Sequence, residues 1–125
     1  MKLMPNMPAP IKSAPISAFI AATNAFDLEG VAAAFADDAL VNDQLLEYWG
    51  KSAIREWAAQ EVVGCRLTLA VVKVVELHGH HIVTAHADGD IDKRGLPEPL
   101  VLTLYFADDG KKVFQLIILR NLTDA

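Results

Sequence analysis

Hydrophobic side chains recur with helical spacing in the first half of the chain. After Asp27, apolar residues stand at positions 28, 31, 32 and 35, which is the i, i+3, i+4, i+7 spacing of one helix face. Asp27 is a suitable N-cap, because its carboxylate accepts hydrogen bonds from the free amides of a first helical turn. Similar stripes follow Ser13 and Gly50. The pattern predicts three helices, at residues 13–26, 28–36 and 50–63.

The second half of the chain has the composition of strands. Residues 65–78, 82–90, 100–107 and 113–122 are rich in valine, leucine and isoleucine, and turn-forming residues separate them. A fifth strand is predicted at residues 39–43, and residues 45–49 form a short strand or a turn. Helices followed by strands that short turns connect predict an α+β fold with an antiparallel sheet.

Composition narrows the class of protein. A chain of 125 residues with 53% hydrophobic and 22% charged residues fits one folded domain. The net charge of −5, without a basic cluster, argues against nucleic acid as a partner. No uncharged apolar run reaches the length of about 18 residues that crossing a membrane needs. The single Cys65 suits a reducing compartment, so we expect a soluble, cytoplasmic protein.

The N-terminal segment differs from the rest of the chain. It has prolines at positions 5, 8 and 10, which interrupt a helix, and few residues that could pack against a core. We expect residues 1–12 to form a flexible arm and residues 13–125 to form the folded domain.

Asp43 is the acidic residue with the most unusual setting. Strand alternation over residues 39–43 places Asp43 on the same face as Ala39 and Val41, so the carboxylate lies among apolar side chains. Such a carboxylate is a candidate general base or ligand anchor. The alternative is a strand-end carboxylate that caps backbone amides near the third helix.

The run AATNAFDLEGVAAAFADDALVND, followed by GKSAIREW, resembles the nuclear transport factor 2-like superfamily. The ketosteroid isomerase and SnoaL-like polyketide cyclase branches are the most similar, and the resemblance covers residues 13–122. It implies a curved antiparallel sheet that three N-terminal helices wrap into a cone, with a ligand pocket inside. It places Asp43 at the position of the catalytic general base of the isomerases, and it implies no cofactor.

The resemblance also shows where this chain departs from the isomerases. Their tyrosine and protonated aspartic acid hold the developing enolate, and these positions fall on Phe19 and Thr103. Phenylalanine donates no hydrogen bond, and a threonine hydroxyl is a weaker donor than a neutral carboxylic acid. Loss of such a donor costs about 10²- to 10³-fold in rate. Steroid isomerisation by that mechanism is therefore not expected.

The matching isomerase strand suggests that Thr103 and Tyr105 face the pocket. Alternation then adds Leu116 and Arg120 from the last strand, and His86 and Asp88 from residues 82–90. His86 could form an acid–base relay with Asp43 or Asp88, or be a hydrogen-bonded histidine within the sheet. Arg120 could clamp a substrate carboxylate or oxygen, or form a salt bridge with Asp88.

Aromatic and metal-binding residue types offer further candidates. Trp49 and Trp57, like Tyr48, could line the pocket entrance or belong to the core or an interface. The histidines at positions 78, 80 and 81 lack the spacing and the cysteine partner of a metal site. The acids at 88, 90 and 92 have the alternation of an acidic calcium loop but lack its later glutamate and lie in a strand, so a solvated turn is expected there and no metal site is predicted.

These residues indicate a small-molecule pocket protein. It could be an isomerase, cyclase or hydrolase that uses Asp43 as general base on a mostly apolar substrate containing a carbonyl group. The alternative is a non-catalytic ligand-binding or dimeric assembly domain of the same fold. We also expect a homodimer through the outer sheet face, since this assignment of faces leaves a strongly apolar set outside: Leu67, Leu69, Val71, Leu102 and Leu104.

Overall fold

The computed structural model describes residues 11–91 and 94–121, and most of the predicted N-terminal arm lies outside these ranges. The helices are α1 (Ala14–Asn24), α2 (Leu28–Ala33) and α3 (Gly50–Trp57), and α3 continues as a π-helix over Ala58–Val63. The strands are β1 (Phe35–Asp43), β2 (Leu46–Trp49), β3 (Thr68–Leu77), β4 (His80–Asp88), β5 (Leu100–Asp108) and β6 (Val113–Asn121).

Side-chain caps fix the starts of the first two helices. The Ser13 hydroxyl accepts a hydrogen bond from the Ile16 amide at 3.3 Å, and the Asp27 carboxylate accepts one from the Gly30 amide at 3.1 Å. Helix α2 ends at Ala33, three residues earlier than predicted, because the chain from Phe35 onwards is already paired with β6. Strand pairing therefore overrides the helical spacing there.

The six strands form one sheet in the order β2-β1-β6-β5-β4-β3. Four of the neighbouring pairs are antiparallel, as predicted, but β1 and β6 run parallel. A parallel pair needs a long connection, and here everything between β1 and β6 in the chain provides it. The α+β class and the three helices are confirmed.

The inner face of the sheet packs against the helices around a cluster of aromatic rings. Phe19 of α1 contacts Phe35 and Phe106 edge to face, with centroids 5.6 Å apart in both pairs. Phe35 in turn meets the Trp57 ring at 6.3 Å. These rings fill the space between α1 and the sheet.

The assignment of the two sheet faces from the sequence was wrong for β3, β4 and β5. The leucines and valine expected outside are buried against the helices, with exposures between 1 and 9%: Leu67, Leu69, Val71, Leu102 and Leu104. Side chains alternate along a strand, so an error of one position exchanges the two faces completely.

Among the helices that the structure describes, none combines the length and the apolar character that crossing a membrane requires.

Candidate functional site

A cavity of about 240 Å³ opens where β1, β5 and β6 approach the π-helix and the loop after β4; we call it the Asp43 cavity. Its wall is mostly apolar and carries a few polar and charged groups, which is typical of a small-molecule site. The polar members are Asp43, Gln44, Tyr48, Trp57, Glu61, Cys65 and Arg120, and the apolar members include Val62, Leu67, Leu100, Leu102 and Ile118.

Asp43 lies at the end of β1, and donors from two sides hold its carboxylate. The indole Nε1–H of Trp57 donates to Oδ2 at 2.9 Å, and Nε2 of Gln44 donates to Oδ1 at 3.3 Å. A carboxylate oxygen has two lone pairs, so each oxygen keeps one acceptor position. The group is therefore oriented and still able to take a proton from a ligand.

Gln44 follows Asp43 in the tight turn between β1 and β2. Its amide nitrogen also donates to the Ile118 carbonyl at 3.1 Å. Its amide oxygen accepts from the backbone N–H of Arg120 at 3.2 Å and from the guanidinium Nε at 3.3 Å. Asp43 and Arg120 are thus linked through one side-chain amide.

Tyr48 reaches the cavity because alternation in β2 turns it inward opposite Val41, whereas Trp49 points to the other face opposite Leu40. Burial raises the pKa of the Tyr48 phenol, and the negative charges of Asp43 and Glu61 raise it further. The phenol is therefore a neutral hydrogen-bond donor at physiological pH.

The π-helix supplies another part of the wall. It places Glu61 and Val62 beside the cavity, and Cys65 follows two residues after its end. Burial raises the pKa of the Cys65 thiol, and the nearby charges of Glu61, Asp90 and Asp43 act in the same direction. Single π-helical turns are frequent at functional sites.

Three of the residues predicted for the site meet in this cavity: Asp43, Trp57 and Arg120. Phe19 and Leu116 are fully buried in the core and are absent from the cavity wall. Trp49 is 64% exposed, and its indole donates to Glu47 at 3.3 Å outside the cavity. The prediction that these three residues line the pocket was wrong.

Four further predicted residues lie on the outer face of the sheet. Thr103 pairs with Thr84 and Tyr105 with Ile82, while the neighbours that alternate with them are buried on the inner face. His86 and Asp88 follow the same outward alternation in β4. The prediction that these four residues face the pocket was wrong, and so were the relay from His86 to Asp43 and the pair of Asp88 with Arg120. The Thr103 hydroxyl instead donates to the Asn121 side chain at 2.8 Å.

Sequence reasoning missed Gln44, Glu61 and Cys65 as parts of the wall. Gln44 and Leu45 carried one signal, because a two-residue connection between strands normally contains asparagine or glycine. Both residues have positive φ, at 53° and 74°. The π-helix and its contacts had no recognisable pattern in the sequence.

A hollow of about 380 Å³ lies on the outer side of the sheet, beside residues 77–82 and Tyr105, with a mostly apolar lining. Within residues 11–91 and 94–121, no group of three histidine, cysteine or acidic side chains is arranged to hold a metal ion.

Comparison with known proteins gives structural matches only. No family model matches the sequence, and no curated protein matches it. A candidate polyketide cyclase from Sinorhizobium meliloti matches with a TM-score of 0.71 at 21% identity, over 84% of this chain and 93% of that one. A protein from Catenulispora acidiphila with a ketosteroid isomerase-like fold, in complex with trimethylamine, matches with a TM-score of 0.73 at 18% identity, over 90% and 88%.

A third structure, a nuclear transport factor 2-like protein of unknown function from Cytophaga hutchinsonii, matches with a TM-score of 0.71 at 10% identity, over 92% of this chain and 95% of that one. Similarity at these identities is evidence about the fold. The chain has the nuclear transport factor 2-like fold, which confirms the prediction from the sequence resemblance.

Proposed function

We propose that this protein is a small-molecule enzyme of the SnoaL-like type, in which Asp43 acts as general base on a mostly apolar substrate containing a carbonyl group. The observation that carries the proposal is the Asp43 carboxylate, which Trp57 and Gln44 orient at the wall of the Asp43 cavity. A general base needs a fixed position within reach of the substrate and a free lone pair, and this carboxylate has both.

The proposed reaction begins at the carbon next to the substrate carbonyl. The C–H bond breaks, the proton passes to an Asp43 oxygen, and the electron pair moves onto the carbonyl oxygen to give an enolate. The neutral Tyr48 phenol supports this step by donating a hydrogen bond to that oxygen. Return of the proton at another atom gives an isomerisation, and attack by the enolate carbon on a second carbonyl gives a cyclisation. Activation of water by the same base gives a hydrolysis.

The size of the cavity limits the substrate. A volume of about 240 Å³ lies below the range of about 300–1,000 Å³ typical of pockets for drug-sized ligands. This favours a compact molecule of one or two rings over a four-ring steroid. Phe19 offers no hydrogen-bond donor and Thr103 points outward, which also argues against a steroid substrate.

The second candidate function is ligand binding without catalysis. It is favoured by the hydrogen bond from Trp57, because Asp43 also serves as the acceptor for a buried indole N–H. In that case the carboxylate stabilises the fold, and the cavity holds a ligand that leaves unchanged.

Comparison of Asp43→Asn with Asp38→Asn separates the two functions. Asp38 lies on the same strand, is exposed, and is absent from the cavity wall, so the two variants lose the same charge. The proteins are screened by thermal shift against small carbonyl compounds, and products are then identified for every compound that stabilises the wild type. We expect Asp43→Asn to lower turnover by at least about 10²-fold while Asp38→Asn retains it. Turnover that survives in Asp43→Asn contradicts the catalytic role, and stabilisation without any product favours the binding function.

We further propose that the chain forms a homodimer through the outer face of the sheet. A row of four apolar residues in direct register crosses β3 to β6 on that face: Val75, Ile82, Tyr105 and Ile117.

The cytoplasmic localisation and the absence of a nucleic acid partner stay predictions from composition.

A further inference from the structure

We propose that Arg120 anchors a carboxylate group of the substrate and that Gln44 is the positioning residue that keeps Arg120 apart from the general base. This inference rests on the function proposed for Asp43, because it assigns the substrate class and the geometry of the same cavity.

The Gln44 amide uses its complete hydrogen-bonding capacity. Its nitrogen donates to the Asp43 carboxylate and to the Ile118 carbonyl, and its oxygen accepts twice from Arg120. The partners also determine the orientation of the amide, because the carboxylate and the carbonyl can only accept and the two Arg120 groups can only donate. Gln44 is therefore a rigid connection between the Asp43 carboxylate and the Arg120 guanidinium.

The connection prevents a direct ion pair. Arginine and a carboxylate in contact normally form two parallel hydrogen bonds, which would use both Asp43 oxygens and two donors of the guanidinium. With the amide between them, Asp43 keeps a lone pair on each oxygen. Arg120 keeps its two terminal NH₂ groups, and within residues 11–91 and 94–121 no carboxylate lies within ion-pair distance of it.

The backbone at Gln44 supports a role for this particular side chain. A φ of 53° is a left-handed conformation that asparagine and glycine adopt at lower cost. The following Leu45 is also left-handed and is 79% exposed. Strained residues are concentrated at functional sites, and what glutamine adds here is the amide that reaches both Asp43 and Arg120.

A monoanionic carboxylate is the ligand group that fits this arrangement. Arg120 offers one positive charge at the cavity wall, whereas Asp43 and Glu61 contribute two negative charges nearby. A phosphate dianion would meet more repulsion than one guanidinium offsets. We therefore assign the substrate as a compact keto acid, with its carboxylate at Arg120, its apolar body among Leu100 and Leu102, and its acidic C–H group towards Asp43.

The test uses 3-benzoylpropionate and its neutral amide as a matched pair of probes. Calorimetry measures their affinities, and protection of Cys65 from iodoacetamide shows whether they occupy the cavity, since Cys65 lines it and is the only cysteine of the chain. We expect the wild type to bind the carboxylate at least about tenfold more tightly than the amide. Arg120→Gln should abolish this preference. Lys73→Gln loses the same charge at an exposed position of β3 and should leave the preference intact.

The role of Gln44 is tested by rescue. In Gln44→Ala, Arg120 can reach Asp43, so the affinity for 3-benzoylpropionate should fall by about tenfold. The double variant Gln44→Ala/Asp43→Asn should regain most of it, because the competing carboxylate is gone. A merely structural role of Gln44 would give no rescue. Gln44→Gly should show the same loss of affinity while relieving the left-handed backbone, so it replaces Gln44→Ala if that variant unfolds.

Three results overturn this assignment. The first is equal affinity of the wild type for the two probes, which includes binding of neither. The second is a carboxylate preference that survives in Arg120→Gln, and the third is a double variant that binds 3-benzoylpropionate no better than Gln44→Ala. The outcome is independent of catalysis. Asp43→Asn should retain the carboxylate preference even if no compound is turned over, so failure of the proposed function and failure of the anchor give different results.

Discussion

Asp43 and Trp57 depend on each other. Trp57 is 2% exposed, and a buried indole N–H needs an acceptor. Asp43 provides it at 2.9 Å, so one contact satisfies the indole and orients the carboxylate. This pair connects the stability of the core with the geometry of the cavity.

Cys65 reports directly on the electrostatics of the cavity. Burial and the nearby negative charges raise the pKa of its thiol, so the thiolate is scarcer in the folded protein than in the unfolded chain at the same pH. Because the thiolate is the reactive form, iodoacetamide should label folded protein more slowly than urea-unfolded protein. The midpoint of the pH–rate curve should also lie at higher pH in the folded protein.

The same shift has a consequence for stability. The folded state favours the neutral thiol, so the contribution of Cys65 to the free energy of unfolding is complete below the ordinary thiol pKa and is lost as the pH rises through the raised value.

Glu61→Gln should move the pH–rate curve of Cys65 labelling back towards lower pH. An identical curve for folded and unfolded protein would refute this description of the cavity.

At the residue scale, the sequence identified Asp43 but not Gln44. Asp43 stands in an alternating segment whose other inward residues are apolar, so the sequence directly predicted which face of the strand carries it. The role of Gln44 depends on Arg120, which is 76 positions away in the chain. Only the parallel pairing of β1 with β6 brings the two together, and the sequence predicted no such pairing.

At the scale of elements, prediction failed where the two faces of a strand had to be told apart. In β4 the outward residues include Thr84, His86 and Asp88, while Val83, Ala85 and Ala87 are buried. The polar set alternated with the apolar one in the sequence, which is typical of a strand with one solvated face. Placement by resemblance to the isomerase strand went against that pattern and exchanged the faces.

The Asn24 side chain forms hydrogen bonds with the backbone at the free edge of β3. The Asn24 amide donates to the Leu69 carbonyl at 2.9 Å and accepts from the Leu69 amide at 2.7 Å, as a neighbouring strand would. Asn24→Ala removes both bonds from this edge, so we expect the free energy of unfolding to fall by about 1–2 kcal/mol. Urea denaturation followed by circular dichroism measures the change.

A control for this prediction is Ser17→Ala. Among the described residues, its hydroxyl, on the same helix, donates only to the nearby Ile11 carbonyl. If both substitutions change stability equally, the contact of Asn24 with β3 contributes nothing particular to the sheet edge.

At the scale of the whole molecule, the outer face of the sheet carries several exposed apolar side chains. The row from Val75 to Ile117 is accompanied by other exposed apolar side chains, including Leu77 at 54% and Phe114 at 46% exposure. Contiguous apolar patches of this kind mark interaction surfaces. We therefore propose a homodimer through these residues, which differ from those that the sequence suggested.

Light scattering after gel filtration tests the dimer. We expect the wild type to have twice the 13.6-kDa mass of one chain. Ile117→Lys, which places a charge in the middle of the row, should have the mass of a single chain. Ala18→Lys, exposed on α1 and remote from the sheet surface, should remain dimeric. A wild type with the single-chain mass at all concentrations would exclude this interface.

Deuterium exchange shows whether Asp43 removes a proton from a ligand in the cavity. Small aryl ketones and keto acids, including 3-benzoylpropionate, are incubated with protein in D₂O, and proton NMR follows the loss of the signal next to the carbonyl. We predict exchange by the wild type and by Asp38→Asn, and a rate at least about 10²-fold lower with Asp43→Asn. Equal exchange by Asp43→Asn, or no exchange of any compound by the wild type, would contradict the role of Asp43 as general base.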